Sequence, residues 1–453
     1  MNSIHFIGVS GIGVSAVAKI SIQSGIRVTG SADEENEQTH ELVRLGACFS
    51  LGHQKEHIEN PDLVVRSAAV PDDNPEVLEA RRKSIPVLLY SDYLGMLMAQ
   101  KKGIGIAGTH GKTTTTAITG VVLEQAGLFP SIVCGGVMND YSSNALAGKG
   151  EYFVAEACEY NRSFLSLNKQ YAVVTNIERD HLDTYDDLDD IKHAFALFLA
   201  TTRDDGFAVV NGDDSNVMDA VRESGYRSVH TVGVKEENSY RIIGLEEEDG
   251  RYFFGIERGR QEAVRLTLPL PGRYNCINAS LSAVLCIELG VERKRVEESI
   301  AGFAGIERRL ELLGSVNRNP VYSDYAHHPT EISGVIDTLR LVYPSRKLVI
   351  IFQPHQYSRT MFLFEGFVKA LSGADLLILT GVYRQRDDAR YTRAVSSIKL
   401  HEVIGQKKRK GSVYIEEKYD ILPYLEEHPP EGAVVAFMGA GDIDKVARKY
   451  VGK

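Results

Sequence analysis

Apolar runs that end in a glycine turn, each followed by a helical pattern, recur three times along the chain. They lie at Ile4–Gly13, at Ile104–Thr113 and, less strictly, at Val434–Gly441. Strands that alternate with helical stretches in this way are typical of parallel, doubly wound sheets. The pattern therefore predicts an α/β fold.

The same pattern divides the 453 residues into three segments, and a chain of this length is expected to form roughly two to four domains. Residues 1–101 are predicted to form a Rossmann-like domain, and residues 307–453 a second one. Residues 102–306 are predicted to form a central parallel-sheet domain like those of P-loop ATPases. Within it, residues 238–266 alternate apolar and polar positions around a turn at Glu246–Gly250, which predicts a small antiparallel hairpin on the surface.

Composition narrows the classes of function. The net charge of −10 argues against general nucleic-acid binding, and the basic run Lys407–Lys410 is interpreted as a solvated surface turn. No stretch approaches the roughly 18 apolar residues of a membrane span, and the N-terminus lacks a signal-peptide pattern. The five scattered cysteines suit free thiols in a reducing compartment. A cytoplasmic protein without a membrane segment is expected.

A phosphate-binding loop is the most specific chemical motif. It comprises Gly108, Thr109, His110, Gly111, Lys112, Thr113 and Thr114. Backbone N–H groups in such a turn and at the start of the next helix face a phosphate. Lys112 is then placed for the β- and γ-phosphates and the Thr113 hydroxyl for Mg²⁺. The strict pattern has glycine where Ile106 stands, so the alternative is a plain strand–helix turn with an exposed lysine.

Two further polar stretches follow predicted strands. Glu156 ends one of them and His181 follows another, and ligands of open α/β sheets gather at such strand ends. A carboxylate suits Mg²⁺, whereas histidine is an unusual ligand for that ion, so His181 could instead lie in a polar network. Asn275 and Asn278 are three residues apart and share a helix face. They could bind a nucleotide, or serve as an N-cap and a buried amide.

Together these motifs resemble the Mur ligase family, whose relatives include the folate polyglutamating enzymes. The resemblance runs from Ile4 to Gly441 and implies an ATP- and Mg²⁺-dependent ligase. It implies that Glu156 and His181 bind metal together with Thr113, with Lys112 also catalytic. Residues expected around the metal are Asn176, Asp180, Asp183 and, more weakly, Glu159.

The resemblance also assigns the nucleotide and substrate ends. It implies that Asn275, Asn278, Arg309 and Asp324 join the phosphate loop in binding ATP, with Arg309 at a phosphate and Asp324 at the ribose. For a UDP-sugar it implies a site made of Gly8, Gly11, Ile12, Gly13 and Ser67. Taken alone, the Gly8–Gly13 loop is only an imperfect dinucleotide motif, because Ser10 replaces a glycine.

The segments His327–Glu331 and Phe352–Thr360 resemble the alanine-adding branch of the family. This implies that His327, His355 and Arg359 bind the amino acid. His328 is a candidate base because imidazole titrates near neutral pH. The sequence also departs from the branch at Gln356, which replaces the first of two arginines and cannot form a bidentate charged fork.

Three further departures flank the reaction site, where Cys158, Tyr160 and Asn161 replace the family's usual Asp, Ser and Asp.

The reaction that the resemblance implies joins the lactyl carboxylate of UDP-N-acetylmuramate to L-alanine through an acyl phosphate, in peptidoglycan precursor synthesis. The expected partners are these small molecules, with no nucleic acid or membrane, in a monomer or homodimer. The alternatives are addition of another amino acid or a peptide, an NAD-dependent dehydrogenase, and a nucleotide-binding regulator without ligase activity.

Overall fold

The structure is a computed structural model that describes residues 1–259, 261–384, 391, 396–407 and 411–452. The described strands form separate sheets within residues 3–89, 102–268 and 311–438. Each sheet contains parallel strands connected through helices, which confirms the predicted three-domain α/β class. The predicted domain limits at 101/102 and 306/307 fall between the sheets and remain predictions.

The N-terminal sheet is parallel throughout and has the strand order β3-β2-β1-β4-β5. Its elements are β1 (Ser3–Ile7), α1 (Ile12–Gln23), β2 (Arg27–Ala32), α2 (Glu37–Arg44), β3 (Cys48–Leu51), β4 (Leu63–Arg66), α3 (Pro75–Arg82), β5 (Val87–Leu89) and α4 (Tyr90–Met98). The central strand β1 is an apolar run that is buried on both faces, as parallel sheets require. The predicted Rossmann-like arrangement is confirmed.

The central sheet has the order β15-β14-β13-β12-β11-β10-β6-β9-β7-β8. Its elements are β6 (Lys102–Ala107), α5 (Lys112–Gln125), β7 (Ser131–Met138), β8 (Ser143–Leu146), β9 (Tyr152–Glu156), β10 (Tyr171–Val174), α6 (Leu188–Ala200), β11 (Phe207–Asn211), α7 (Ser215–Ser224), β12 (Val229–Gly233), β13 (Tyr240–Glu248), β14 (Arg251–Arg258), β15 (Gln261–Leu268), α8 (Tyr274–Glu288) and α9 (Arg293–Ala301). Strands β7 and β9 to β12 join β6 in a parallel core. Strand β6, which leads into the phosphate loop, lies near its middle.

The antiparallel hairpin predicted in residues 238–266 is present as β13 and β14. A third strand, β15, pairs with β14, and β13 pairs in parallel with β12. The segment therefore extends the central sheet instead of standing on the surface as a separate hairpin. Its alternating pattern reflects one buried face, because Tyr252, Phe254 and Ile256 pack in the central core while alternate positions face solvent.

The C-terminal sheet has the order β16-β17-β21-β18-β19-β20, with only the β16–β17 pair antiparallel among the described strands. Its elements are β16 (Glu311–Val316), β17 (Asn319–Asp324), α10 (Pro329–Val342), β18 (Lys347–Phe352), α11 (Tyr357–Phe362), α12 (Phe364–Leu371), β19 (Leu376–Thr380), α13 (Ser397–Lys407), β20 (Ser412–Ile415), α14 (Ile421–Glu427), β21 (Ala433–Met438) and α15 (Ile443–Tyr450). Of the basic run at 407–410, residues 408–410 lie outside the described residues.

The start of α10 shows how the local sequence fixes an element that the site depends on. His328 caps the helix, Pro329 occupies its first turn, and the Glu331 side chain accepts hydrogen bonds from the backbone N–H groups of His327 and His328. Proline has no N–H to lose at this position, and the cap satisfies N–H groups that the helix leaves unpaired. The cap therefore fixes the positions of His327, His328 and Glu331 at the start of α10.

Two expectations from the sequence concern the cysteines and a possible membrane span. All five cysteines, which lie within the described residues, are free thiols. Among the residues that the structure describes, no helix combines the length and the apolar character needed to cross a membrane.

Candidate active site

The phosphate loop connects β6 to α5 and depends on two glycines. Gly111 has φ +81° and caps α5, and a Cβ atom there would lie 2.4 Å from Asn278 Oδ1. Gly108 has φ +144°, and a Cβ atom there would lie 1.8 Å from Thr175 Oγ1. Any side chain at these positions would clash as well as strain the backbone. The strict motif has a glycine where Ile106 stands. In this loop the backbone instead requires a glycine two residues later, at Gly108.

Lys112 folds back over this loop. Its ammonium donates hydrogen bonds to the carbonyl oxygens of Gly108 at 2.5 Å and Thr109 at 3.0 Å, and to Glu159 Oε1 at 3.0 Å. Burial alone lowers the pKa of Lys112, but the negative charge of Glu159 outweighs it and the pKa is raised. A permanent positive charge therefore lies at the centre of the loop.

Glu159, which the sequence placed only weakly near the metal, contacts both Lys112 and His181. Its side chain is buried, and its Oε1 lies 3.7 Å from His181 Nε2 as well as accepting from Lys112. The hydroxyl of Tyr185 donates to the Glu159 carbonyl at 2.5 Å. Glu159 thus connects the phosphate loop to the segment that carries His181. Its position three residues after Glu156 was the available sequence indication.

The predicted metal ligands lie around the same cation. Glu156 ends β9, accepts a hydrogen bond from Gly135 N at 2.8 Å, and contributes to the raised pKa of Lys112. The Thr113 hydroxyl, on the first turn of α5, accepts from Arg309 at 3.3 Å. A carboxylate and a hydroxyl beside a phosphate loop are donors that suit Mg²⁺. The oxygen donors present therefore fit that ion.

His181 has a backbone φ of +53°, which is uncommon for a non-glycine residue. Its Nε2 lies 3.7 Å from carboxylate oxygens of both Glu159 and Asp180, and its ring contacts Tyr160 edge-on at 5.1 Å between centroids. His181 is thus held in a polar network, as its alternative interpretation requires. A role as a metal ligand remains a prediction.

The segment that leads into β16 contributes one arginine to the phosphate loop. Arg309 reaches Thr113, whereas the adjacent Arg308 donates to the carbonyls of Gly439 and Gly441 at 2.7 and 2.8 Å. Both guanidinium groups lie over the ring of Tyr325. Of the two neighbouring arginines, the one predicted for a phosphate is the one that faces the loop.

The predicted nucleotide-binding polar groups are engaged with the protein. Asp324 accepts backbone hydrogen bonds from Leu310 at 2.6 Å and Ala326 at 2.7 Å, and burial raises its pKa to about 6. Asn278 donates to Asn275 Oδ1 at 3.1 Å. These contacts hold the loops that surround the site. The proposed ribose contact of Asp324 remains a prediction, and its structural role is the one observed.

His110 connects the phosphate loop to α10. Its Nδ1 lies 3.2 Å from Glu331 Oε1 and its Nε2 lies 3.6 Å from Glu178 Oε2. Burial lowers the pKa of His110, but these two carboxylates raise it to about 9. The backbone N–H and carbonyl of His110 both bond to the Asn176 side chain, at 2.8 and 2.9 Å. Asn176 therefore supports the loop itself.

His328 lies against His110, with ring centroids 4.7 Å apart. Its Nε2 is 3.1 Å from the Arg179 carbonyl, and its Nδ1 accepts from Thr330 N at 3.3 Å. Burial and the charge of His110 lower the pKa of His328. Because both ring nitrogens already have protein partners, the arrangement argues against the predicted role of His328 as a base.

A cleft lies where the segment after β10 meets α11. About 280 Å³ of non-protein space, part of it open solvent, lies between its walls. Its lining residues are Asp180, His181, Leu182, Asp183, Gln356, Ser358, Arg359, Phe362 and Leu363. Two predicted sets, those around the metal and those for the amino acid, therefore meet at one place.

Arg359 is the arginine among the residues that line this cleft. Its guanidinium contacts Asp180 Oδ1 through Nε and Nη2, both at 3.1 Å, and donates to Gln356 Oε1 at 3.2 Å. Burial raises the pKa of Asp180, but the charges of His181 and Arg359 lower it well below its usual range. His355 Nδ1 also lies 3.2 Å from Arg359. The arginine is therefore positioned by a buried carboxylate.

His327 stands beside this group, with its ring 6.1 Å from that of His355. Its Nδ1 lies 3.0 Å from the Tyr325 carbonyl, and burial lowers its pKa to about 3. A neutral imidazole here can offer a hydrogen bond without repelling Arg359. The structure thus brings all three predicted amino-acid-binding residues together.

The loop after β1 begins the other predicted site. The backbone N–H groups of Gly8 and Val9 donate to the Ser31 carbonyl at 2.8 and 3.0 Å. Gly8 has φ +78°, and a Cβ atom on Gly13 would lie 2.9 Å from the Tyr90 ring. Gly11 is the N-cap residue of α1, and because it has no side chain, no side chain at the cap accepts from the first N–H groups of the helix. The N-terminal amides of α1 can therefore face an anion.

Two more predicted residues complete this loop. Ser67 lies at the end of β4, where its N–H donates to the Ile7 carbonyl at 3.0 Å and its hydroxyl accepts from Ala69 N at 3.2 Å. The carbonyl of Ile12 accepts from Asn144 in the central domain at 2.6 Å. The loop is thus connected directly to the domain that carries the phosphate loop.

A buried polar cluster under the same loop was missed at the sequence level. The Glu76 carboxylate is fully buried and contacts Ser31 Oγ at 2.6 Å, His57 Nδ1 at 2.6 Å and His53 Nδ1 at 2.9 Å. Burial raises the pKa of Glu76, but the nearby imidazole of His5 and the hydrogen bonds to Ser31 and His57 lower it to about 2. These residues are far apart in sequence, so their spacing gave no indication of the cluster.

Models of one protein family match all three parts of the chain. The Mur ligase family catalytic domain matches residues 3–102, the Mur ligase middle domain matches residues 106–286, and the Mur ligase glutamate ligase domain matches residues 308–441. Together these matches span most of the chain.

Individual proteins give the same result. The chain is 40% identical to the UDP-N-acetylmuramate–L-alanine ligase of Aquifex aeolicus, with 99% of this chain and 96% of the relative covered. It is 38% identical to the ligase of the same name from Carboxydothermus hydrogenoformans, with 100% and 97% covered. The crystal structure of the UDP-N-acetylmuramate-alanine ligase of Thermotoga maritima superposes with a TM-score of 0.85 at 29% identity, covering 100% of this chain and 99% of that one.

Proposed function

Because the chain belongs to the Mur ligase family, we propose that it joins the lactyl carboxylate of UDP-N-acetylmuramate to L-alanine. ATP is the energy source, and ADP and phosphate are the other products. The reaction belongs to peptidoglycan precursor synthesis and takes place in the cytoplasm. We further propose that residues 1–101 bind the UDP-sugar, residues 102–306 bind ATP, and residues 307–453 bind the amino acid.

The observation that carries this proposal is the position of Lys112 relative to the cleft. Its ammonium lies against Glu159, which also contacts His181, and His181 lines the cleft that holds Arg359. A γ-phosphate beside Lys112 and an amino acid beside Arg359 would thus lie on either side of the same few residues. That is the requirement for a carboxylate that is first phosphorylated and then attacked by an amine.

In the first step, the lactyl carboxylate attacks the γ-phosphorus of ATP, which forms an acyl phosphate and releases ADP. Catalysis of phosphoryl transfer depends mainly on positioning and on neutralising charge. Lys112 and the amides of the phosphate loop supply fixed positive charge, and Arg309 adds a second cation beside Thr113. Mg²⁺, held by Thr113 and Glu156, would neutralise further phosphate charge when bound.

In the second step, the free amine of L-alanine attacks the acyl carbon and phosphate leaves. Arg359 is proposed to bind the amino-acid carboxylate, since Arg359 lines the cleft and its guanidinium is oriented by Asp180. His327 and His355 complete the pocket. No side chain is assigned as the base, because His328 has both nitrogens engaged.

Addition of a different amino acid is the second candidate, because Gln356 lines the cleft in place of an arginine. The test is phosphate release from ATP and Mg²⁺ with UDP-N-acetylmuramate, with and without L-alanine, glycine or L-serine. Release that requires both UDP-N-acetylmuramate and L-alanine, with alanine preferred, supports the proposal. Preference for another amino acid would replace the alanine assignment, and no release with any pair would contradict the ligase assignment of this site.

A further inference from the structure

A second group of possible metal ligands shares no residue with the predicted Mg²⁺ ligands Glu156 and Thr113. His110, Glu178 and His328 each offer one ligand atom, and these three atoms lie within 4.8 Å of one another. His110 comes from the phosphate loop, Glu178 from the segment after β10, and His328 from the cap of α10. The group therefore stands where the central and C-terminal domains meet.

His110 presents one ring nitrogen to this group. Its Nδ1 is 3.2 Å from Glu331, so Nδ1–H donates to that carboxylate. A metal ion that displaces the second ring proton would bind the lone pair of Nε2. Nε2 is buried and has no hydrogen-bond partner, although Glu178 Oε2 is 3.6 Å away. A histidine whose far nitrogen donates to a carboxylate is the usual arrangement of a metal-bound imidazole.

His328 has the same division between its two nitrogens. Nε2 lies 3.1 Å from the Arg179 carbonyl, which can only accept, so this nitrogen carries the proton. Nδ1 therefore has the lone pair, which accepts a hydrogen bond from Thr330 N at 3.3 Å, and a metal ion would have to replace this hydrogen bond. A backbone carbonyl is the other common partner of a metal-bound histidine.

The carboxylate completes the set. Glu178 Oε2 accepts a hydrogen bond from Thr330 Oγ1 at 2.6 Å, which orients it, and its pKa is lowered to about 2 by His110 and Thr330 against the effect of burial. Two histidines and one glutamate with an open fourth position form a known zinc arrangement. Imidazole ligands also favour zinc-like ions over Mg²⁺.

The distances require little movement. Ligands at roughly 2.0–2.1 Å from a tetrahedral zinc ion are about 3.3 Å apart, and the His110–Glu178 pair is at 3.6 Å. Since all three ligand atoms lie within 4.8 Å of one another, the shift required is at most about 1.5 Å, of the kind that side-chain rotation provides. We propose that His110, Glu178 and His328 bind a transition-metal dication such as Zn²⁺ at a site separate from the one proposed for Mg²⁺.

Such an ion would tie two domains together. Two ligands belong to the central domain and the third belongs to α10, so binding holds the phosphate loop against the C-terminal domain. Domain opening is required for substrates to enter and products to leave in enzymes that close around their substrates. Zn²⁺ is therefore expected to inhibit turnover even when Mg²⁺ is in excess.

The test uses Co²⁺ as an optical probe, added to the full-length protein without nucleotide and in a large excess of Mg²⁺. Wild type is expected to show the absorption of four-coordinate Co²⁺ with one ion bound. Glu178→Gln, which keeps an acceptor for Thr330, should weaken Co²⁺ binding by at least about 10–100-fold, as loss of a metal-site group does. Unchanged affinity in Glu178→Gln would overturn the proposal.

Two control variants locate the ion. Glu223→Gln alters an exposed glutamate that contacts His193 Nδ1, and it should bind Co²⁺ as wild type does. His57→Asn alters the buried cluster around Glu76. Loss of Co²⁺ binding in His57→Asn or in Glu156→Gln, with Glu178→Gln unaffected, would place the ion elsewhere and contradict the assignment. Because Co²⁺ binding is read without substrates, this outcome is independent of whether the ligase proposal holds.

Discussion

The glycine loops after β1 and β6 have the same strand–turn–helix form but opposite electrostatic surroundings. The loop after β1 contains no charged side chain between Gly8 and Gly13, and the buried charge beneath it is the Glu76 carboxylate. The loop after β6 has the Lys112 ammonium folded over its carbonyls and Arg309 beside its first helical turn. Similar backbone geometry thus presents amides alone in one case, and amides with fixed cations in the other.

This difference corresponds to the proposed tasks of the two loops. A diphosphate that is only held in place can be bound by helix-terminal amides. A γ-phosphate that is transferred needs charge aimed at the position where negative charge develops. A substitution in one loop can therefore be compared with a matched substitution in or near the other.

The largest effect is expected for Lys112→Met. Removing the central cation should lower kcat by about 10³-fold, at the upper end of the range for a single group that stabilises developing charge. The control is Lys19→Met, because Lys19 is another buried lysine paired with a glutamate, Glu41, in the N-terminal domain. Steady-state kinetics and urea unfolding are measured for both variants.

Both substitutions leave a glutamate without its partner, so both should destabilise the fold by up to about 3 kcal/mol. Only Lys112→Met should lose kcat, while Lys19→Met stays within a few-fold of wild type. Equal losses of kcat in the two variants would mean that the effect is general destabilisation, and the phosphate-loop assignment would fail.

The next effect concerns acid stability beneath the loop after β1. The pKa of Glu76 is about 2 in the folded protein against an ordinary value of 4.5, so its ionised form stabilises the fold. This contribution, about 3 kcal/mol, is fully present above pH 4.5 and is lost as the pH falls towards 2. The free energy of unfolding of wild type should therefore fall more steeply over this range than that of Glu76→Gln.

Urea unfolding at several pH values between 6 and 3 measures the two curves. The difference between the proteins is the relevant quantity, because other carboxylates with lowered pKa values, such as Glu178, titrate in both. If the unfolding free energies of the two proteins depended on pH in parallel, the contacts with the surrounding histidines would not lower the pKa of Glu76.

A smaller effect, specific to one substrate, is expected from alanine at each loop's glycine. Gly111→Ala places a Cβ atom 2.4 Å from Asn278 Oδ1, and Gly8→Ala places one 3.1 Å from Ser67 Cβ, both at positive φ. Strain of roughly 1–2 kcal/mol should raise one KM by about 5–30-fold. Gly111→Ala should raise the KM for ATP, and Gly8→Ala that for UDP-N-acetylmuramate. A rise in the same KM for both variants would contradict the division of tasks.

The same two loops show how far the sequence could predict the molecule. The apolar runs predicted the starts of β1, β6 and β21 to within two residues, because buried parallel strands have continuous apolar sequences. Lys112 was singled out by the phosphate-loop motif, and Arg309 and Arg359 by the resemblance to the Mur ligase family. Glu76 was not, since its partners come from separate elements and only the fold brings them together. The His328 assignment relied on an ordinary imidazole pKa, which burial and His110 change.

The smallest effect is expected at the cleft, where Gln356 contacts Arg359 and lines the pocket. Gln356→Arg adds a second guanidinium that can pair with an amino-acid carboxylate. The KM for L-alanine should fall by about 3–10-fold, corresponding to roughly 1 kcal/mol, with the KM for ATP unchanged. L-Alanine amide is the matched control, because it has the amine but no carboxylate. An equal fall for the amide would show that the added charge acts through the protein and not on the carboxylate. No change for either would mean that Arg359, already oriented by Asp180, is sufficient for binding that group.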